Sequence, residues 1–168
     1  MTAGDRQGLW GFSLRLYGLP GVGDACLVLQ DESDVDVPVF LFAAWLSKNS
    51  VALRETDLAR IDGLVASWRE EVVKPLRAVR RRLRSGLPPA PATETGRLRN
   101  GVKGVELDAE RIELALLEAE GLALAGTGDR RDDAGANLTL VLRYFRGSAP
   151  DAKASLALRT VEAALAGP

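Results

Sequence analysis

The sequence contains no histidine and a single cysteine, Cys26. Histidine is the side chain most used for acid–base catalysis near neutral pH, and it is the commonest metal ligand. One cysteine permits neither an intrachain disulfide nor a zinc cluster built from several thiolates. Because the usual constellations are missing, we expect no catalytic residue, no metal and no cofactor.

A charge excess and a long apolar run are also missing. The formal net charge is -1 at pH 7, which argues against a general nucleic-acid-binding protein. The uncharged apolar stretch 37–46 is shorter than the roughly 20 residues that a membrane-spanning helix needs. Residues 1–8 lack the basic and apolar segments of a secretory signal. We therefore expect a cytoplasmic protein with no membrane span.

The stretch 37–46 is nevertheless the organising feature of the chain. It is apolar on every side, which predicts a helix in the middle of a soluble core. Asp36 is expected to cap this helix, with Pro38 in its first turn. Two shorter helices are expected before it, separated by the helix-breaking sequence 18–21. The chain thus predicts an all-α fold, a bundle of about six or seven helices around a central apolar helix.

Two long amphipathic segments follow the central helix. Apolar residues recur at three- and four-residue steps over 58–83, and again over 98–123. Facing residues such as Val79 and Val102 have a nearly constant sum of residue numbers, as an antiparallel hairpin with one fixed turn requires. We expect these apolar residues to face each other, and we expect Pro75 to bend the first helix.

Composition divides the chain into four parts. Residues 1–8 are expected to be a disordered lead, and residues 9–123 a helical core domain. Residues 124–136 are rich in glycine and charge, which predicts a linker. Residues 137–168 are expected to form helices that pack on the core. The run 138–145 also fits a strand, but we favour a helix because nothing else in the chain offers a pairing partner.

The strongest candidate for a binding site is a basic stripe near the end of the first long helix. Helical spacing places four cations on one face, namely Lys74, Arg77, Arg81 and Arg84. Such a stripe can hold phosphates or an acidic protein. The alternative interpretation is partial pairing with the acidic second helix together with ordinary solvation.

A pocket between the central helix and the hairpin is the second candidate site. The first half of the chain carries a surplus of apolar and aromatic residues beside an isolated glutamine. The candidate pocket residues are Trp10, Gln30, Trp45 and Trp68. The alternative is core packing for the tryptophans and an interhelical or capping hydrogen bond for the glutamine.

A specific string of residues runs through the first half of the chain. It comprises Leu9-Trp10-x-Phe12-Ser13-Leu14-x-x-Tyr17, Pro20-Gly21-Val22, Ala25-Cys26-Leu27-x-Leu29-Gln30, Asp36-Val37, Leu41-Phe42, Trp45-Leu46 and Trp68-Arg69-x-x-Val72-x-x-Pro75-Leu76-Arg77. Over residues 9–84 the chain resembles a family of short, uncharacterised proteobacterial proteins that contain a domain of unknown function. Pro38 departs from the family pattern, which has a polar residue there, often Asn. The resemblance implies a bacterial cytoplasmic protein, and it supplies no catalytic residue.

These observations favour a non-enzymatic, helical protein-interaction module in the bacterial cytoplasm. Its basic stripe would face an acidic protein partner or, in a homodimer, the acidic helix of a second copy. The alternative is a small-molecule-binding protein that takes an apolar or anionic ligand between the central helix and the hairpin. A third hypothesis, an enzyme that uses only Asp and Arg, requires a pocket lined by both residue types.

Overall fold

The structure, a computed structural model, describes residues 8–126 and 135–167, and these contain helices and no strand. The α-helices are α1 (Leu9–Tyr17), α2 (Val22–Ser33), α3 (Val37–Lys48), α4 (Glu55–Trp68), α5 (Lys74–Arg82), α6 (Ala92–Ala125), α7 (Ala136–Arg146) and α8 (Ala152–Ala166). A π-helical turn, Arg69–Val73, joins α4 to α5 without a break, so the described chain forms seven helical rods. The all-α prediction is confirmed. Most of the predicted disordered lead and of the predicted linker lies outside the described residues.

Helix α3 is the centre of the core, as its uniform apolarity predicts. Every residue from Pro38 to Leu46 is buried, and α3 packs against α1, α6 and α7. The carboxylate of Asp36 accepts a hydrogen bond from the Val39 backbone N–H at 3.2 Å, and Pro38 lies in the first turn. The predicted cap is therefore present, and it occupies a donor that the helix itself leaves unpaired.

The predicted antiparallel hairpin is confirmed, with α4 and α5 forming its first arm and α6 its second. Contacts between the arms appear in the order that an antiparallel pair requires. From the open end towards the turn they are Arg60 with Glu120 at 2.7 Å, Trp68 Nε1 with the Ala109 carbonyl at 3.0 Å, and Arg77 with Glu106 at 3.0 Å.

The predicted inward face of α6 is wrong by about one residue. Four members of the predicted stripe are largely exposed instead: Leu98 (56%), Val105 (53%), Ile112 (49%) and Leu116 (40%). The buried residues of α6 include Glu106, Ala109, Glu113, Leu117 and Leu124. A one-residue shift rotates a helix face by about 100°. The predicted inward face is wrong because the side of α6 that packs against the first arm and the core includes two glutamates. Val79 on the first arm was also expected inside, and it is 48% exposed.

The first arm is irregular where we expected Pro75 to bend it. The backbone N–H of Lys74 bonds to the carbonyl of Arg69, which is the wide spacing of a π-helical turn. Because Pro75 has no N–H and crowds the preceding turn of an ordinary helix, the wider turn accommodates its ring. The same turn sets the position of Arg69, a residue that is buried in the structure.

Helix α6 approaches the central helix closely at Gly121. A Cβ atom at this position would lie 2.5 Å from Cζ3 of Trp45 and 2.8 Å from Cε2 of Phe42. Real Cβ atoms do not make contacts this short, so a residue without a side chain is required here. The tryptophan ring fills the space beside the glycine, and Trp45 is accordingly a core residue.

The C-terminal helices cover the remaining side of the core. Helix α7 packs on α3, and α8 packs on α2. The carboxamide of Asn137 accepts from the Leu53 N–H at 2.7 Å and donates to the Val51 carbonyl at 2.8 Å, which fastens α7 to the loop after α3. No single described helix has the length and composition of a membrane span, although the pair α1 and α2, bent by 98°, passes such a test together.

Candidate functional site

The basic stripe lies on α5 and just beyond it, and three of its four cations have carboxylate partners. Lys74 bonds to Glu70 at 2.8 Å, and Arg81 bonds to Asp31 of α2 at 2.6 Å. Arg77 bonds to two glutamates of α6, which are described next. Arg84 is exposed and has no ion pair among the described residues. The stripe is therefore largely paired within the molecule, and its binding role stays a prediction.

Arg77 and Arg80 hold the two arms of the hairpin together near the turn. Arg77 donates to Glu106 at 3.0 Å and to Glu110 at 2.7 Å, and Arg80 also donates to Glu106. Burial of Glu106 opposes its ionisation, but the hydrogen bonds from Arg80 and Arg77 outweigh burial and lower the pKa of Glu106. Burial raises the pKa of Glu110, although Arg77 pulls that pKa down. The cluster joins the arms through charges rather than through apolar contact.

An open groove of about 430 Å³ lies between α1, α3 and the hairpin. Its walls are mostly apolar and include half-exposed Leu14 and Leu107, with Leu41 at the base. Lys103 stands at the hairpin side together with Arg80, which is bonded to Glu106 of the same wall. The combination of an apolar wall and cationic groups suits an amphipathic molecule with an anionic end.

The four predicted pocket residues do not share one cavity. Trp10 and Gln30 line the groove, and Gln30 also lines a second cavity described below. Trp45 is only 4% exposed and belongs to the core. Trp68 lies between the arms of the hairpin, where its indole N–H donates to the Ala109 carbonyl.

A polar cavity of about 350 Å³ lies on the other side of Gln30, lined by residues of α2, α3, α4, the π-helical turn, α5, α6 and α7. At its edge, buried Arg69 donates to Asp36 at 2.9 Å and to Asp62 at 2.7 Å. The hydroxyl of Tyr144 donates to the second oxygen of Asp62 at 3.0 Å. Glu113 of α6 also lines this cavity and is completely buried.

The sequence pattern does not predict this buried group as a site. The sequence favours a helix-capping role for Asp36 over cation binding by its acidic loop, and it places Glu113 only among the acidic residues of the second long segment. One signal was available, since Asp36 and Arg69 both belong to the residue string that carries the family resemblance. The cavity is lined by both Asp and Arg, so it meets the condition set for the third hypothesis. The described residues contain no group of three or more acidic or thiol side chains placed to hold a metal ion.

An apolar strip runs along the outside of the hairpin. It consists of Leu98, Val105, Ile112 and Leu116, which recur at seven- and four-residue spacing on one side of α6, and we call it the outer face. Leu64 (49% exposed) and Val79 belong to the neighbouring arm. Gly101 has no atom within 4 Å of the place where its Cβ would be.

The fold defines the chain as an all-α helical bundle built around a buried helix and a long antiparallel hairpin. A family model described as protein of unknown function DUF2390 matches residues 8–117, and the chain belongs to this family. No curated protein and no solved structure matches the chain.

Proposed function

We propose that the protein is a non-enzymatic helical interaction module, and that the outer face of α6 is where it docks a second copy of itself. The observation that carries this proposal is the exposure of Leu98, Val105, Ile112 and Leu116 on one side of a 34-residue helix. Contiguous apolar patches on a protein surface mark interaction sites, whereas single exposed apolar residues do not.

The spacing of the outer face favours a helix as the docking partner. Leu98, Val105 and Ile112 are seven residues apart, which is the repeat by which two helices pack side by side. Gly101 lies among them and leaves room for another backbone to approach closely. A second α6 supplies the same apolar residues at the same spacing.

The distribution of charge favours an antiparallel pair of α6 helices. Arg84 and Arg97 are exposed at the turn end of the hairpin, and Glu118 and Glu120 lie towards its open end. If Leu98 lies opposite Leu116 of the second copy, the antiparallel register sets Arg97 at the level of position 117, in the acidic segment of the second copy that contains Glu118 and Glu120. A parallel arrangement would bring the basic ends together, which is unfavourable.

Replacing an outer-face residue by a charge tests this proposal. Because Ile112 is half exposed in the single chain, Ile112→Asp leaves the core intact but places carboxylates in the middle of the interface. We expect the wild type to elute as a dimer in size-exclusion chromatography with light scattering, at a mass near twice 18.0 kDa, and we expect the variant to elute as a monomer.

The matched control is Leu156→Asp on α8. Leu156 is 59% exposed and lies away from the hairpin, so the control should remain dimeric. A wild-type protein that elutes as a monomer, or an Ile112→Asp variant that elutes like the control, would remove the outer face from the account.

The groove supports a second candidate function, the binding of an apolar or anionic small molecule. Its volume of about 430 Å³ falls in the range of ligand pockets, and Trp10 and Gln30 are among its lining residues. A thermal-shift screen with fatty acids, isoprenoids and nucleotides tests it, since a ligand that binds only the folded state raises Tm. Leu107→Glu, in the exposed wall of the groove, should abolish any shift caused by a groove ligand.

A further inference from the structure

Glu113 is the most unusual side chain in the described part of the molecule. Its side chain is completely buried, it lines the polar cavity, and neither carboxyl oxygen has a hydrogen-bond donor among the described residues. A buried carboxylate without a donor or a cation is strongly unfavourable. The position therefore calls for either a proton or a cationic ligand.

The cations that line the cavity already have carboxylate partners. Arg69 bonds to Asp36 and Asp62, Lys74 to Glu70, and Arg77 to Glu106 and Glu110. The guanidinium of Arg69 also lies 5.5 Å from the centre of the Phe145 ring. No cation of the cavity wall is left over for Glu113, although the cavity has room for a small molecule.

We propose that this cavity binds a small organic cation, an alkylammonium ion, whose charge is held by Glu113 beside Asp36. The ammonium group supplies the N–H donors that both oxygens of Glu113 lack. The alkyl part lies against the apolar lining, which includes Val35, Pro38 and Val73. Tyr144 and Phe145 add aromatic surface, which attracts cations.

The ionisation state of Glu113 makes binding dependent on pH. Burial first, and repulsion from Asp36 second, raise the pKa of Glu113 to about 9; nearby Arg69 only partly offsets them, and a hydrogen bond between protonated Glu113 and Asp36 raises the pKa further. The other charged or titratable groups around it are Glu110 on its own helix and the remaining ones of the cavity lining, Asp34, Asp62, Glu70, Lys74, Arg77 and Tyr144. At neutral pH Glu113 therefore carries a proton, and an ammonium ion that binds to its carboxylate releases this proton to solvent.

Isothermal titration calorimetry of the full chain tests the proposal. The probes are butylammonium and 1,4-diaminobutane, with butanol and butyrate as neutral and anionic counterparts, at constant ionic strength. We expect both amines to bind and to release up to one proton per molecule bound, measured in buffers of different ionisation enthalpy. Because the proton must leave, we expect affinity to rise by up to about tenfold per pH unit between pH 6 and 8.

Two variants locate the binding site. Glu113→Gln keeps the shape of the protonated side chain but cannot accept the charge, so we expect amine affinity to fall at least about tenfold and to lose its pH dependence. Glu94→Gln makes the same change on an exposed turn of α6 and should bind like the wild type.

Three results would overturn the proposal. They are the absence of amine binding to the wild type at pH 8, equal binding of butanol or butyrate, and equal binding of the amines to Glu113→Gln. Proton release by the wild type is measured without any variant, so the proposal stays testable if Glu113→Gln fails to fold. None of these results depends on whether the outer face pairs two copies.

Discussion

At the scale of single residues, the molecule concentrates its buried charge around one arginine. Arg69 bridges Asp36, which begins the central helix, and Asp62 on the first arm of the hairpin. Asp36 thereby has two roles, because its other oxygen caps α3. The cap was predictable from the order of residues along the chain. The ion pair with Asp36 was not, because it joins residues 33 positions apart through a tertiary contact, whereas the pair with Asp62 spans seven residues of one rod.

Glu113 predicts a measurable dependence of stability on pH. Its pKa is about 9 in the folded chain and near the ordinary 4.5 in the unfolded chain, so the folded state binds the proton more tightly. The contribution of Glu113 to stability is fully present below pH 4.5 and is lost as pH rises towards 9. The loss is at most about 1.4 kcal/mol per pH unit.

Urea unfolding of the wild type and of Glu113→Gln between pH 5.5 and 8 measures this effect. The variant cannot ionise at this position, so the wild type should lose stability relative to the variant as pH rises. Parallel pH profiles for the two proteins would show that Glu113 is ionised, and already compensated, in the folded chain.

At the scale of secondary-structure elements, apolar periodicity located the helices better than it located their faces. On α4 the inward residues Leu58, Ile61 and Val65 follow the predicted steps and are fully buried. On α6 the apolar steps marked the outer face instead, because buried Glu106 and Glu113 occupy part of the inward side. The spacing of apolar residues cannot predict a helix interface that contains charged residues.

The contact between α6 and α3 gives a prediction at this scale. Gly121→Ala would gain about 1 kcal/mol of helix propensity, but its methyl group would collide with Trp45 and Phe42. Because overpacking of a core costs about 1–3 kcal/mol, we expect a net loss of stability in urea unfolding.

Gly63→Ala is the matched control for this substitution. Gly63 lies in α4 with no atom within 4 Å of its absent Cβ, so the control should gain about 0.5–1 kcal/mol. Equal gains at the two positions would mean that α6 does not approach α3 as closely as the structure has it.

At the scale of the whole molecule, the sequence was enough to predict the all-α class, the central helix and the hairpin. For the candidate sites it identified Trp10 and Gln30, which line the groove, and the basic stripe, which is mostly paired internally. It did not reveal the polar cavity, since that cavity is lined by residues of seven elements, from α2 to α7. The sequence also contains the outer face of α6, an apolar strip at the spacing of a helix–helix interface, but its residues were predicted to face inward.

Two copies that pair through antiparallel α6 helices would bring defined positions of these helices together, and distances between spin labels measure this arrangement. Labels are placed at Arg97→Cys and, in a separate variant, at Asp108→Cys, which are exposed positions beside the outer face. The native Cys26 resists labelling because it is buried and because burial raises the pKa of its thiol to about 12. We predict a short distance between the two labels at position 108, near the symmetry axis. With Leu98 opposite Leu116, the two labels at position 97 lie about 20 residues apart along the helix axis. At 1.5 Å per residue we predict a separation of roughly 30 Å between them. Short distances at both positions would indicate a parallel pair, and the absence of any measurable distance would contradict the account.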